Sequence, residues 1–505
     1  MHIENLIDEL GGFGRFQRLF VLFLSTMKIP ISWSLLMMAF AGIEPDWFCL
    51  SRDASSNWTS TNETAGKCLK NTSICGIRKF DEEMITAVSQ WGLVCEKRWI
   101  TGFIIAVQMG GVLLGAVVAG QVAGAYGRKN VIVAAIVVTC IGNVVSVFST
   151  SWVMFTGLRV VLGVAAGAMQ AINYIYQLEF VNRKWRVGLV VIPAFPVGVI
   201  LACLMFWLSP NFIHLHIAGA VISLPYVIGC FFMPESIRWL AVKGRVSEAK
   251  ALVTRIARIN GRPEPDTTIL EKIAAEEQRN HAMLMTYSYL DLFRTRQLVK
   301  TTLILCFSWA SSSIVFYAIS FGVADLSGNF YVNMLLMQVT EFPALMLVVV
   351  ITSCIGRRWT CAVAFCGTSV SCFVLAIAVV YVPSEIEGVL ITVLAILAKS
   401  LLIIAWHGLE VFSAEQYPTV LRNLGMSACS SGARVGGIIS SQVLALGQGR
   451  DLMAPYLVMG VVSFVTGAVC LLLRETKGEA LEDTLTRVKT ETVAEDYELQ
   501  TPLTT

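Results

Sequence analysis

Apolar residues in this 505-residue chain gather in long blocks separated by short polar links. A bilayer core about 30 Å thick needs ~20 mostly apolar residues per helical span. Roughly twelve windows of that kind can be marked, centred near Leu24, Gly111, Ile141, Ala166, Ile200, Ser223, Trp309, Phe342, Thr368, Lys399, Arg434 and Ser463. The pattern predicts an all-α membrane protein that crosses the bilayer many times. Ahead of the first window, residues 1–17 ("MHIENLIDELGGFGRFQ") are acidic and polar rather than a basic leader, so the N-terminus is expected to stay in the cytoplasm.

Composition agrees: 55% of residues are hydrophobic and only 14% charged, unlike a soluble domain. The net charge of +3 says little, but the placement of Lys and Arg sets an orientation. The segment 234–298 carries Arg238, Lys243, Arg245, Lys250, Arg255 and Arg258 and reads as a cytoplasmic linker. Arg128-Lys129, Arg183-Lys184, Arg357-Arg358 and Arg422 fall in short loops on the same side, whereas the opposite links "STSW", "SPNF" and "ADLSGN" hold no basic residue. Twelve spans with both termini cytoplasmic satisfy this asymmetry.

The polar segment 43–98 breaks the charge rule, and its chemistry assigns its side. It contains N-x-S/T sequons at Asn57, Asn62 and Asn71 together with Cys49, Cys68, Cys75 and Cys95. Clustered sequons and cysteines predict a glycosylated, oxidised extracellular loop with two disulfides, of three alternative connectivities. The other ten cysteines lie in or beside apolar windows, where a thiol packs as a small hydrophobe. No cysteine or histidine spacing suggests a metal, and no cofactor is expected.

The chain also repeats. "GAYGRKN" joins windows two and three and "CIGRRWT" joins windows eight and nine, placing Arg128 and Arg357 229 residues apart. Glu179 with Arg183 after window four is matched by Glu415 with Arg422 after window ten, at an offset of 236. Two agreeing offsets predict two homologous six-helix halves, residues 18–233 and 299–474, with a site at mid-depth between them.

With those motifs in place the chain resembles the major facilitator superfamily and, within it, the organic cation, organic anion and carnitine transporter family. "GGFGRFQ", "WGLVCEKRW", "PESIRWLAVKGR", "TEFPA" and "AEQYPTVLRNLGM" carry the likeness nearly end to end, Pro234-Glu235-Ser236 with Arg238-Trp239-Leu240 most specifically. "RVVLGVAAG" in window four is similar to the superfamily's signature there, and Gly163 and Gly167 are expected to admit a close neighbouring helix. The resemblance implies a cytoplasmic gate of Arg128, Lys129, Glu179, Arg183, Arg357, Arg358, Glu415 and Arg422. Two departures stand out: Gly124 and Ser353 occupy the positions of the gate-motif Asp residues that cap a helix and hold the cytoplasmic side closed. Glu179 and Glu415 are expected to compensate in part by pairing with Arg128 and Arg357.

Four ionisable residues sit deep in apolar windows: Lys28, Glu341, Lys399 and Arg434. Arg434 has ~14 helical residues on either side, about 20 Å, which is beyond the reach of its side chain, so it must face water or a partner. Three positive charges against one negative favour a ligand bearing a carboxylate. If Glu341 pairs with Lys399, then Lys28 and Arg434 remain in excess; if it is free, it receives a cationic head while Arg434 clamps a carboxylate. The resemblance points the same way, since the position of Arg434 is Arg in anion and carnitine carriers and Asp in cation carriers. Tyr174, Trp309, Phe316 and Tyr317 are aromatic candidates for the same cavity.

The expected function is transport of small organic ions by alternating access, with organic anions or carnitine-like zwitterions as substrates, at the plasma membrane. An organic-cation carrier and a non-transporting receptor on the same fold are the alternatives. The expected partners are the organic ion, the lipid bilayer and, if transport is coupled, an ion; nucleic acid is not among them. With no P-loop, nucleophile elbow or metal cluster, the chain does not read as an enzyme. Residues 475–505 read as a polar cytoplasmic tail.

Overall fold

The computed structural model describes residues 3–52, 58–60, 77–182, 185, 189, 192–263, 265–272, 274–275, 289–326, 328–382, 384–417, 421–447 and 453–477. We number twelve helices of the bundle in chain order and group them by the two halves expected from the repeat. The first half comprises α1 (Arg15–Ala41), α2 (Trp99–Tyr126), α3 (Arg128–Val147), α4 (Trp152–Leu178), α5 (Ala194–Leu208) and α6 (Phe212–Cys230). The second comprises α7 (Arg296–Phe321), α8 (Phe330–Ile355), α9 (Arg357–Tyr381), α10 (Ser384–Gln416), α11 (Arg422–Gly447) and α12 (Ala454–Cys470). Among the described residues nine helices are long and apolar enough to cross a membrane; α5 and α12 are shorter apolar helices. α11 has the length of a span but a lower hydropathy, because Arg434 and a series of Ser and Gly residues replace aliphatic ones.

Glycine spacing sets which helices touch. A Cβ added at Gly163 or Gly167 of α4 would strike the Gln108 or Val112 carbonyl of α2, and one at Gly111 or Gly115 would strike α4 in return. Both glycine pairs recur every four residues, so one bare stripe on each helix lets the two backbones meet, as expected from "RVVLGVAAG". Gly432 and Gly436 of α11 likewise lie against the Cys306 and Ala310 carbonyls of α7. That contact seats the helix carrying Arg434 directly on α7.

The 43–98 segment adds a small antiparallel sheet to the helical body. β1 (Trp47–Arg52) lies between β2 (Trp58–Ser60) and β3 (Ile77–Phe80), with Leu50 opposite both Ser60 and Ile77. Aromatic and β-branched residues supply the strand preference that the hydropathy pattern does not show. The two halves meet at this end of the molecule: Phe40 of α1 stacks edge-on against Phe330 of α8, Phe206 of α5 lies against Tyr331, and the Cys203 thiol donates to the Tyr331 carbonyl at 3.6 Å.

On the cytoplasmic face expected from the charge pattern, the amphipathic linker helix Val246–Asn260 buries Leu252, Val253 and Ile256. Asn260 then ties this helix to the start of α1, donating to the Leu10 carbonyl at 2.7 Å and accepting from the Phe16 N–H at 2.9 Å.

Candidate functional site

Near the midpoint of α10, Lys399 is fully buried, and its Nζ lies 2.8 Å from Glu341 Oε1 at the start of the inner segment of α8. The Lys399 ammonium also sits 5.4 Å from the Phe316 ring centroid. With its amide oriented to satisfy both partners, Gln338 donates to Glu341 at 3.2 Å and accepts from Lys399 at 2.9 Å. Desolvated charges are tolerated when paired and hydrogen-bonded, and this cluster meets both conditions. The two readings of Glu341 left by the sequence are thereby decided: it is paired, not free.

Arg434 lies near the midpoint of α11 and is 8% exposed. Its neighbouring polar group is Tyr317, itself buried, and its Nε is buried without a hydrogen-bond partner among the described residues. No carboxylate among the described residues forms an ion pair with it. Glu341 does not serve as its acid, since Lys399 occupies that carboxylate.

Aromatic rings gather beside these charges. Phe316 packs edge-on against Tyr317 at 5.2 Å and lies 5.8 Å from Trp406, which in turn lies 5.8 Å from Trp309. Phe195 of α5 reaches Phe316 from the other half at 6.3 Å. The Trp309 indole donates to Ser413 Oγ at 2.9 Å, fixing its ring against α10. Trp406 and Phe195 were not foreseen. Trp406 was legible in principle, because it follows Lys399 by seven residues and so shares its helical face.

Other expected site residues are placed elsewhere. Tyr174 packs against Val21, Val181 and Leu189. Lys28 feels the charge of Glu410 of α10, whose carboxylate is 3.2 Å from His407 Nδ1, but among the described residues it forms no ion pair and is not part of the Lys399–Glu341 pair.

The turns expected to be cytoplasmic form two matching networks. Arg128 donates to Glu179 Oε1 at 3.2 Å and makes an ion-pair contact with it at 3.1 Å, and Arg357 donates to Glu415 Oε1 at 3.2 Å and makes an ion-pair contact with Oε2 at 3.1 Å. These are the pairs expected to compensate for the missing Asp residues, though each lies within its own half. The sequence reading missed the acids that take over the capping role. Glu235 accepts the backbone N–H of Arg128 at 3.0 Å and of Lys129 at 3.3 Å, and Glu475 accepts those of Arg357 at 2.9 Å and Arg358 at 3.1 Å. A carboxylate at a helix N-terminus satisfies orphan donors and complements the dipole.

Gly127 and Gly356, at φ +103° and +91°, precede those helices, and a Cβ at either would run into the capping carboxylate. Burial pushes the Glu475 carboxyl up, but the N–H groups of Arg357, Lys477, Thr476 and Arg358 outweigh it and hold the group below its ordinary value. Gly124 has open space around it and gives its carbonyl to the Trp239 indole at 3.0 Å; Ser353 bonds back to the Val349 carbonyl at 2.7 Å. Arg358 stacks on Trp359, and Arg422 opens α11.

Cys95 is disulfide-bonded, and the ten cysteines of the helical body are free thiols. Asn57, Asn62, Asn71, Cys68, Cys75, Arg183 and the tail beyond residue 477 lie outside the described residues, as does the side chain of Cys49. Among the described residues no group of three His, Cys, Asp or Glu is placed to hold a metal.

The long apolar helices, with charges and aromatic rings buried between them, are those of a membrane transporter of the major facilitator fold. The sequence fits the family described as "Sugar (and other) transporter" over residues 54–486. It is 30% identical over 408 residues to Solute carrier family 22 member 2 of Mus musculus, covering 80% of this chain and 72% of the relative. It is 27% identical over 523 residues to the Organic cation transporter protein of Drosophila melanogaster (96% and 94%) and 29% identical over 537 residues to Solute carrier family 22 member 7 of Sus scrofa (97% and 96%). The partially occluded inward-open structure of the xylose transporter XylE from E. coli superposes with a TM-score of 0.66 at 13% identity, covering 92% of this chain and 99% of that one, a likeness of fold alone. The chain belongs to the sugar (and other) transporter family and, within it, to solute carrier family 22, the organic ion transporters.

Proposed function

We propose that the protein carries organic anions across the plasma membrane by alternating access, with Arg434 anchoring the substrate carboxylate. The observation that carries this reading is the contrast between two buried cations: Lys399 has its acid in Glu341, while Arg434 has none among the described residues. An unpaired guanidinium beside Tyr317 offers a fork of donors that matches a carboxylate, and the rings of Phe316 and Trp406 offer an apolar wall for its body. The engagement of Glu341 favours a simple anion over a carnitine-like zwitterion, whose quaternary head would need a free acid. Both termini face the cytoplasm in this reading, and the 43–98 loop is extracellular and glycosylated at Asn57, Asn62 and Asn71.

A comparison of labelled benzoate, carnitine and tetraethylammonium uptake in cells, with surface biotinylation, tests the assignment. Saturable benzoate uptake that disappears in Arg434→Ala at unchanged surface level is the expected result. Tetraethylammonium uptake that survives Arg434→Ala would turn the reading to an organic-cation carrier. Transport of none of the three classes would turn it to a receptor.

A further inference from the structure

The contact that seats α11 on α7 also brings two thiols together. A Cβ added at Gly432 would lie 2.7 Å from the Cys306 carbonyl oxygen, so the two backbones touch at Cys306. Cys429 stands one helical turn before Gly432, on the same face of α11, and is fully buried. Its thiol is hydrogen-bonded to that of Cys306. The Tyr417 hydroxyl donates to Thr302 Oγ1 at 3.3 Å and lies 3.8 Å from Cys429 Sγ, a second contact that holds this sulfur in place. Other thiols are engaged differently: Cys140 donates to the Ala220 carbonyl and Cys203 to that of Tyr331.

The two sulfurs differ in access. Cys306 is half-buried, and Leu303 and Phe307 beside it are 58% and 41% exposed on the outer surface of α7. A small neutral oxidant therefore meets Cys306 first, with Cys429 as the buried partner behind it. Both lie nearer the ends of α7 and α11 expected to be cytoplasmic, where a reducing compartment keeps the resting pair as thiols.

We propose that Cys306 and Cys429 are an oxidisable pair, a modification site at which hydrogen peroxide closes a reversible disulfide between α7 and α11. The Cys306 sulfur attacks one peroxide oxygen and the O–O bond breaks; the departing hydroxide takes the thiol proton and leaves as water, and Cys306 becomes a sulfenic acid. The Cys429 sulfur then attacks that sulfur, and the displaced hydroxide leaves as a second water with the Cys429 proton. The two sulfurs lose two electrons and the peroxide gains them. Arg434 follows Cys429 on the same helix, so the tie restrains the element that carries the proposed anchor. That effect on transport rests on the function proposed above, whereas the bond itself does not.

Mass spectrometry of the full-length protein tests the site. The detergent-purified protein is treated with hydrogen peroxide, its remaining thiols are blocked with N-ethylmaleimide under denaturing conditions, and a proteolytic digest is read. A peptide pair linked through Cys306 and Cys429 is expected, lost on dithiothreitol and absent in Cys306→Ala and in Cys429→Ala at unchanged unfolding midpoints. Peroxide treatment that leaves both thiols open to N-ethylmaleimide, or links either to a different cysteine, would overturn the site. In cells, peroxide is expected to lower wild-type benzoate uptake at least threefold, with recovery in dithiothreitol and no loss in Cys429→Ala. An equal loss in Cys429→Ala would overturn the effect on transport. If untreated cells take up no benzoate, the proposed function fails while the linked peptide still decides the site.

Discussion

Lys399 of α10 and Glu341 of α8 neutralise each other at 2.8 Å inside the second half, and that pair is what leaves Arg434 of α11 as a buried cation without an acid among the described residues. If Arg434 anchors the substrate as proposed, the specificity of that site depends on a residue pair that need not touch the substrate.

The pair itself is testable by removing one charge or both. Lys399→Met or Glu341→Gln alone leaves a buried charge uncompensated, at a cost of about 3–5 kcal/mol. The double substitution Lys399→Met with Glu341→Leu removes both charges and is expected to recover most of the loss. Thermal unfolding of the detergent-purified variants measures this; singles as stable as wild type would refute the pairing.

At Arg434, charge and geometry separate. Arg434→Lys keeps the charge but loses the planar fork, so it should retain only part of the anion uptake. Arg434→Asp reverses the charge and is expected to shift residual activity toward tetraethylammonium. Uptake normalised to surface protein reads both. Full activity in Arg434→Ala would remove the carboxylate anchor.

The capping acids give a pH-dependent prediction. Glu475 is held below its ordinary carboxyl value in the folded state, so its cap contributes fully above the unfolded value of about 4.3 and is lost as pH falls through the folded value. Glu475→Gln should lower stability by about 1 kcal/mol at pH 7, the scale of a helix cap, and by progressively less toward pH 3. Paired melting curves across that range show whether the difference shrinks. Gly356→Ala should be worse at every pH, since its φ of +91° and the adjacent carboxylate exclude a side chain.

For the 43–98 loop the expected outcome is a glycosidase-sensitive gel mobility. The triple variant Asn57→Gln, Asn62→Gln, Asn71→Gln should migrate like the enzymatically deglycosylated protein. Wild-type protein from mammalian cells with unchanged mobility after treatment would contradict an extracellular loop.

Much of this architecture is determined by the sequence alone, because membrane burial is written into composition. Apolar blocks long enough to cross a bilayer locate the spans, the recurrence of the Arg128 and Arg357 turns predicts two halves, and glycines spaced by four mark the α2–α4 contact. Arg434 stands out as a candidate because its side chain cannot reach bulk water from the middle of a helix. Pairing is a different matter. Lys28 and Lys399 look alike in sequence, each a lysine inside an apolar window, and only the relative rotation and depth of α8 and α10 give Lys399 to Glu341. The same holds for Glu235 and Glu475, which cap helices more than a hundred residues away in the chain. Coulomb energy and hydrogen bonding depend on distances of a few ångström, and those distances between remote segments exist only once the helices have packed.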